Sequence, residues 1–372
     1  MPHGFRVEQV AGHFDLSLGE ESARDFAVEV PGTDEDWSIG AIVGPSGSGK
    51  SVVAREAFGN QLIERYQWDD RAVVAGFEPP DADLSSPEAL SVRDITGMLS
   101  AVGFSSPPAW VLPYAALSNG QRFRADLARA LLTAGDLVVF DEFTSLVDRQ
   151  VAKAGSAAVA KAVRRRQGQR FVAVTCHYDV LDWLEPDWVL DMAAGKLARG
   201  RVQRRPPIDL RICQASRRLW PNFEPHHYLS GRLHSSAWCY AVTWEDRPVA
   251  FLATLHNVSP GGPKYRRAHR LVVLPDYQGF GIGTRLLETV ADLEVARGNC
   301  ERFSLVTSHP ALIRSLARRE GWACSGVNKG NKQQAGFVAA RNEQRAQEHA
   351  RHAFRCTARF VRVTPAQREA TP

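Results

Sequence analysis

Short uninterrupted apolar runs alternate along the chain with longer stretches in which apolar residues recur every three or four positions. The first pattern predicts buried strands and the second helices. "WSIGAIVG", ending at Gly44, reads as a strand, and "KSVVAREAFGNQLIERY" reads as a helix beginning at Lys50. "LVVFDEF" at 137–143 supplies a second buried strand. Farther on, residues 271–274 form the apolar centre of another strand, and Pro275 with Asp276 begins a turn. From Thr284 onward Leu286, Leu287, Val290 and Leu293 fall on or near one helical face. Paired strands are expected in "SAWCYAVTWEDRPVAFLATLHN", then a strand in "RFSLVTSHP" and a helix in "ALIRSLARREGW". Near the C-terminus "RHAFRCTARFVRV" alternates, with Phe354, Cys356, Ala358 and Phe360 on one side and Arg355, Arg359 and Arg362 on or near the other. That period predicts an edge strand closing the last sheet.

Strands alternating with helices over 372 residues, 44% of them apolar, fit two packed α/β domains. "MAAGKLARGRVQRRPPIDL" breaks the first periodic region at Pro206-Pro207. The expected division is 1–205, 206–326 and a basic tail, 327–372, that completes the second domain's sheet. No long uncharged apolar run occurs, and "MPHGFRVEQV" lacks a charged-then-apolar leader, so a soluble cytoplasmic protein without a membrane span is expected. Six cysteines stand singly and are read as reduced, mostly buried thiols. The net charge is +5, but residues 196–206 carry five positive residues and no acid, and 327–372 carry nine against three acids. Basicity at a join and a tail suits either a solvated surface or an anionic partner.

The stretch "GPSGSGKS" at 44–51 lies between the first strand and the first helix, which is the setting a phosphate-binding loop needs. Gly44, Gly47 and Gly49 let backbone amides converge on phosphates, Lys50 reaches the β- and γ-oxygens, and Ser51 offers a hydroxyl to magnesium. The strand ending at Asp141 and Glu142 places one carboxylate for the magnesium shell and the other for the attacking water. ATP and Mg2+ are the expected ligands.

"LSNGQRFRADLARALL" at 117–132, "SLVD" ending in Asp148 and "VTCH" ending in His177 follow in order. With them the sequence resembles the ABC ATPase family. The resemblance implies that Ser118, Gly120 and Gln121 form the signature loop, that Asp148 belongs to the D-loop, and that His177 senses the γ-phosphate. It also implies an ATP-dependent homodimer in which the signature loop of one copy completes the site of the other. Asn119 replaces the family's usual glycine, and Asn tolerates left-handed backbone. No Gln-loop glutamine is identifiable; Glu78 and Asp81 are the nearby acids, and Phe14 is the one candidate to stack on adenine.

In the second domain Gln278-Gly279-Phe280-Gly281-Ile282-Gly283, followed by Thr284, opens a helix. Its glycines are one residue short of the dinucleotide pattern G-x-G-x-x-G. The segment 208–326 resembles the GNAT acyltransferase family, whose Gln/Arg-x-x-Gly-x-Gly/Ala loop binds the pyrophosphate of acetyl-CoA or another acyl-CoA. That likeness implies an α+β fold, loop amides from Phe280 to Thr284, and a backbone N–H near Val273 or Leu274 that polarises the thioester. Ala317 stands where many members have the tyrosine that protonates the leaving thiolate. His226, His227 with Tyr228, and His309 are therefore candidates for proton transfer, with His227 and His309 the pair to test.

Together these features describe a soluble ABC-class ATPase coupled to an acyltransferase. The basic segments favour nucleic acid as the acceptor, with protein as the nearest rival. Two alternatives stand beside it: a protein or small-molecule N-acetyltransferase under ATPase control, and a transporter ATPase subunit with an appended regulatory GNAT domain, against which the fused transferase argues.

Overall fold

The computed structural model describes residues 4–14, 28–83, 86, 89–200, 207–227, 232–257, 264–328 and 357–362. The first region contains α1 (Phe5–Phe14), β1 (Ile39–Val43), α2 (Lys50–Phe58), β2 (Leu62–Ile63), α3 (Val92–Ala101), α4 (Pro107–Trp110) and α5 (Asn119–Thr133). It continues with β3 (Leu137–Phe140), α6 (Arg149–Val163), β4 (Arg170–Thr175), α7 (Leu181–Leu184), β5 (Trp188–Asp191) and β6 (Lys196–Arg199). The second region contains β7 (Arg211–Ala215), β8 (Trp238–Trp244), β9 (Arg247–Asn257), β10 (Tyr265–Val273), α8 (Ile282–Ala296), β11 (Arg302–Thr307), α9 (Pro310–Ala317), β12 (Trp322–Asn328) and β13 (Thr357–Arg362).

The first sheet has the order β2-β3-β4-β1-β5-β6 and is parallel except for β6. Helices cover both faces, which is why its strands read as unbroken apolar runs. Ile39, Val138, Phe171 and Ala173 pack into one core, and Ile42, Val139, Val172 and Val174 into the other. α2 is shorter than its periodicity predicts. Gly59 stops it, and Leu62–Ile63 pairs with Val139–Phe140 as an edge strand because its apolar side chains gain more on the sheet than on a helix end. The expected basic linker also begins as structure: β6 is a strand, and Arg199 is ion-paired with Glu29 and Glu35.

The second sheet has the order β12-β13-β11-β10-β9-β8-β7. β9 alternates cleanly, with Ala250 and Leu252 facing the α8 side and Phe251, Ala253 and Leu255 facing Trp220 and Phe223. β13 corrects the expected edge strand, since it lies inside the sheet between β11 and β12. Ala358 and Phe360 are buried there, whereas Arg362 is held by Asp292 and Glu288. Phe354, Arg355 and Cys356 lie outside the described residues, as do Arg201, Arg204, Arg205 and Tyr228. α8 begins at Ile282, two residues before the predicted periodic face. The cysteines also differ from expectation: Cys239 and Cys300 are buried, Cys176 is half-buried, and Cys213 and Cys324 are exposed.

A continuous seam joins the two regions. Trp183 of α7 packs on Phe280 and Trp244, and with Ala157 of α6 it belongs to the second region's apolar core. α3 lies along α9, with Gly97 against the guanidinium of Arg314. The chain between α3 and α4 is bonded to the second region through Ser105, whose N–H donates to Gln278 Oε1 at 2.7 Å.

Candidate functional site

Because β1, β3 and β4 are parallel, their C-terminal ends bring the 44–49 loop, Asp141 with Glu142, and His177 to one edge of the sheet. This is the edge at which open α/β sheets bind ligands. Gly49 caps α2 with φ +86°, a left-handed turn that aims the first helical amides into the loop. A side chain at Gly47 would meet open space, Ser48 Oγ is buried without a partner among the described residues, and Lys50 Nζ donates to the Pro45 carbonyl at 2.7 Å. An open glycine cradle, an orphaned hydroxyl and a cation folded onto its own loop together fit a nucleotide's phosphates.

Asp141 is buried and accepts from the Glu142 N–H at 2.8 Å, while Glu142 is exposed at φ +45° and Thr144 lies at φ +70°. Strained backbone at such a turn suits a residue held for chemistry. Thr144 Oγ1 lies 3.3 Å from His177 Nδ1. Burial and then the nearby Arg149 lower the His177 pKa, so its ring is neutral around pH 7. Ser51 follows Lys50 in the first turn of α2 and would share a magnesium ion with Asp141.

Ser118 and Asp148 serve as N-caps. Ser118 and Gln121 form a reciprocal capping box on α5, and Asp148 Oδ1 accepts from the amides of Gln150 and Val151 on α6. Gly120 packs against Val151, so the two helix starts lie together. Asn119 is the first residue of α5 and is not among the positive-φ residues, so the tolerance expected of it is not called on. Glu78 is engaged elsewhere, accepting from the Leu90 N–H at 2.7 Å. The side chain of Phe14 lies outside the described set.

The second site arises where β10 and β11 part. They pair only over Tyr265–Arg267 with Arg302–Ser304, and the gap beyond opens a cavity of about 930 Å³. The Leu274 N–H donates to the Val249 carbonyl at 2.9 Å. Alternation along an antiparallel ladder therefore turns the Val273 N–H away from β9 and toward the gap. Gly281 caps α8 at φ +83°, and a side chain there would meet open space. Gly279, Gly281, Ile282, Gly283 and Thr284 line the cavity. The Phe280 ring instead points into the seam against Trp183 and Trp244. The amides and the glycine cradle fit the diphosphate of an acyl-CoA.

Gln278 does something the loop motif did not suggest. It is 9% exposed, its Nε2 donates to the Val273 carbonyl at 3.0 Å, and its Oε1 accepts from Ser105. The side chain is a strut between the cavity strand and the first region. Beside it Arg124 of α5 is buried, with Nη2 3.4 Å from the Asp276 carbonyl; burial pulls its pKa down to about 10, opposed by Asp276 and Asp148.

His227 and His309 line this one cavity, together with His226 and His269. His227 packs near Trp220, and His309 Nε2 donates to the Ser105 carbonyl at 3.1 Å and lies against Trp110. Burial lowers the pKa of both His226 and His309. His269, which the sequence did not single out, sits at the irregularity in β10 between Ala268 and Arg270. Burial, then Arg270 and Arg267, pull it down to about 4. Ala317 is the last residue of α9. Among the described residues, seven lysines and arginines line the cavity against one carboxylate, Asp94. Several of these come from the first region, including Lys161, Arg165 and Arg166. Only the fold brings them here, because no local pattern links them to residues beyond 270.

Residues 209–319 match the model of the acetyltransferase (GNAT) family. The first part of the chain is similar to the energy-coupling factor transporter ATP-binding protein EcfA2 of Lacticaseibacillus paracasei, 28% identical over 51% of this chain and 77% of that protein. It is also similar to the ABC transporter ATP-binding protein RamA of Streptomyces coelicolor, 33% identical over 50% of this chain but 33% of that longer protein. A dimeric bacterial ABC transporter cassette of known structure aligns with a TM-score of 0.37 at 17% identity, covering 47% of this chain and 88% of that one. Among the described residues no helix is long and apolar enough to cross a membrane. An ABC-type ATPase domain is thus fused in this chain to a GNAT-family acetyltransferase domain at 209–319.

Proposed function

We propose that the protein hydrolyses ATP in a clamp of two copies and transfers an acyl group from acyl-CoA to a macromolecular acceptor, nucleic acid being the acceptor its charge favours. The observation that carries this reading is the shared construction of the acyl cavity. α6 is capped by Asp148, beside the Ser118 cap, and its far end reaches the cavity through Lys161. Over its 15 residues that helix spans about 22 Å. A change at the nucleotide end is therefore carried by a rigid element to the transferase wall.

In the ATPase half, Lys50 and the loop amides bind the phosphates, Glu142 orients water and accepts its proton, and neutral His177 bonds the terminal phosphate. Ser51 and Asp141 would hold a magnesium ion, which would supply charge neutralisation there. In the transferase half the Val273 N–H polarises the thioester carbonyl. An acceptor amine attacks that carbon, the C–S bond breaks, and the thiolate takes up a proton as the amine loses one to a cavity histidine, His227 or His309. A cavity rich in cations suits both the polyanionic donor and a phosphate-bearing acceptor. Two of the arginines first considered for that role, Arg199 and Arg362, are instead paired with carboxylates.

The test is acetyl transfer from radiolabelled acetyl-CoA to DNA, RNA and protein, with and without ATP. Label in nucleic acid that depends on ATP supports the reading, and label confined to protein moves the acceptor. A second reading, a transport ATPase with the GNAT domain as an appended regulator, is favoured by the names of the two similar proteins given above, both transporter ATP-binding proteins. It predicts copurifying membrane subunits and no acceptor labelling.

A further inference from the structure

Three consecutive arginines follow the end of α6 at Val163, and they have different fates. Arg164 is tied to Asp187 and to the Glu185 carbonyl, and Arg166 donates to the Leu131 carbonyl and to Gln169. The Arg165 guanidinium, between them, is exposed, lines the acyl cavity, and has no hydrogen bond or ion pair among the described residues. Lys161, in the last turn of α6, is placed by the helix face. A side chain at Gly279 would lie 3.1 Å from Ala158 Cβ and 3.5 Å from the Ala154 carbonyl, so this face of α6 is pressed against the phosphate-binding loop of the transferase. Residues 154, 158 and 161 fall on one helical face at spacings of four and three. Lys161 is thus the next side chain along the face from the loop, about 4.5 Å farther by helical rise, and Arg165 lies in the turn just past the helix end at Val163. Both line the cavity that Gly281, Gly283 and Thr284 also line.

We infer that the ATPase domain contributes Lys161 and Arg165 as phosphate-binding residues of the acyl-CoA site, so that the donor is held between the two domains. The inference rests on the acyl-donor reading above and deepens it. Coenzyme A carries three phosphate groups. The loop amides and the α8 N-terminus serve its diphosphate as uncharged donors. Two long cations on the wall of the same cavity add the charge that the amides lack, and arginine's planar fork matches phosphate oxygens. The same helix is capped by Asp148 at its other end, so the donor's affinity is tied to the position of the ATPase domain.

The experiment is calorimetric titration of the full chain with acetyl-CoA at several salt concentrations, comparing the wild type with Lys161→Gln, Arg165→Gln and the double variant. At low salt the double variant is expected to bind about tenfold more weakly, with Arg165→Lys recovering most of the loss caused by Arg165→Gln. The curves of variant and wild type should converge as salt rises, because screening removes the contribution of these charges from both. ATP binding by the same samples checks that the ATPase domain is intact. Equal affinity of wild type and double variant at low salt overturns the inference while leaving the acyl-donor reading in place. A loss of the same size at every salt concentration also overturns it, since that marks damage to the cavity wall. A wild type that does not bind acetyl-CoA overturns the acyl-donor reading and this inference with it.

Discussion

Replacing Gln278 with leucine separates two roles for that residue. If the side chain served only to contact the donor's phosphates, the ligand-free protein would lose almost nothing, since a change without a structural mechanism costs within about 0.5 kcal/mol. The structure gives it two bonds instead, from Nε2 to the Val273 carbonyl at 3.0 Å and from the Ser105 N–H to Oε1 at 2.7 Å. Leucine leaves a backbone acceptor and a backbone donor without those partners. Each such loss costs about 1–3 kcal/mol, and the half-buried setting of Ser105 and Val273 favours the lower part of that range. The expected destabilisation is therefore about 2–3 kcal/mol in the absence of ligand. With a urea slope of about 2 kcal/mol per molar, the midpoint falls by about 1 M or slightly more. Hydrogen exchange at the Ser105 amide supplies the local measurement and should accelerate at least tenfold. An unchanged midpoint together with unchanged exchange at Ser105 would refute the strut and return Gln278 to a purely ligand-binding role.

Three further outcomes follow from the two sites. Glu142→Gln should retain ATP binding, lose turnover by about two orders of magnitude or more, and accumulate an ATP-dependent dimer on size-exclusion chromatography; a monomer there counts against the clamp. Gly281→Val should abolish acetyl-CoA binding in calorimetry while ATPase turnover persists, because its side chain enters open space in the cradle and the strain at φ +83° costs about 1–3 kcal/mol. His269, pulled down to about 4 in the fold from an ordinary 6.5, contributes stability that is complete above pH 6.5 and is lost as pH falls toward 4, when the unfolded chain takes up the proton first. After a discount for its half-exposed setting the loss is about 1–2 kcal/mol, and urea titrations at pH 7 and 4.5 should show His269→Asn removing that part of the pH dependence; an unaltered dependence in the variant rejects the assignment.

Chemistry carried by adjacent residues was readable without coordinates. A phosphate loop needs glycines, a lysine and a hydroxyl within a few positions, between a buried strand and a helix, and β1 and α2 provide that setting. The start of α8 at the second glycine loop was readable for the same reason. Elements whose fate depends on distant partners were not. The apolar pair Leu62–Ile63 continues a helical period, but β3 captures it as a strand. The alternation around Phe360 declares a strand without declaring how many neighbours it has, and β12 on one side with β11 on the other makes it interior. Arg199 and Arg362 look like available charge in the sequence and are paired in the fold with acids far from them along the chain.

The sequence by itself determined two ligand chemistries and the order of the domains that carry them, because both phosphate loops and the strands before them are local patterns. Only the tertiary structure decided that the cavity beside Gly281 has walls from both domains, that Gln278 braces Ser105, and that α6 runs from its Asp148 cap to Lys161 at that cavity. The physical reason is that burial of Trp183, Ala157 and Phe280 in one shared core fixes how the domains meet. That packing is a sum over contacts between segments far apart along the chain, which no period along the chain encodes.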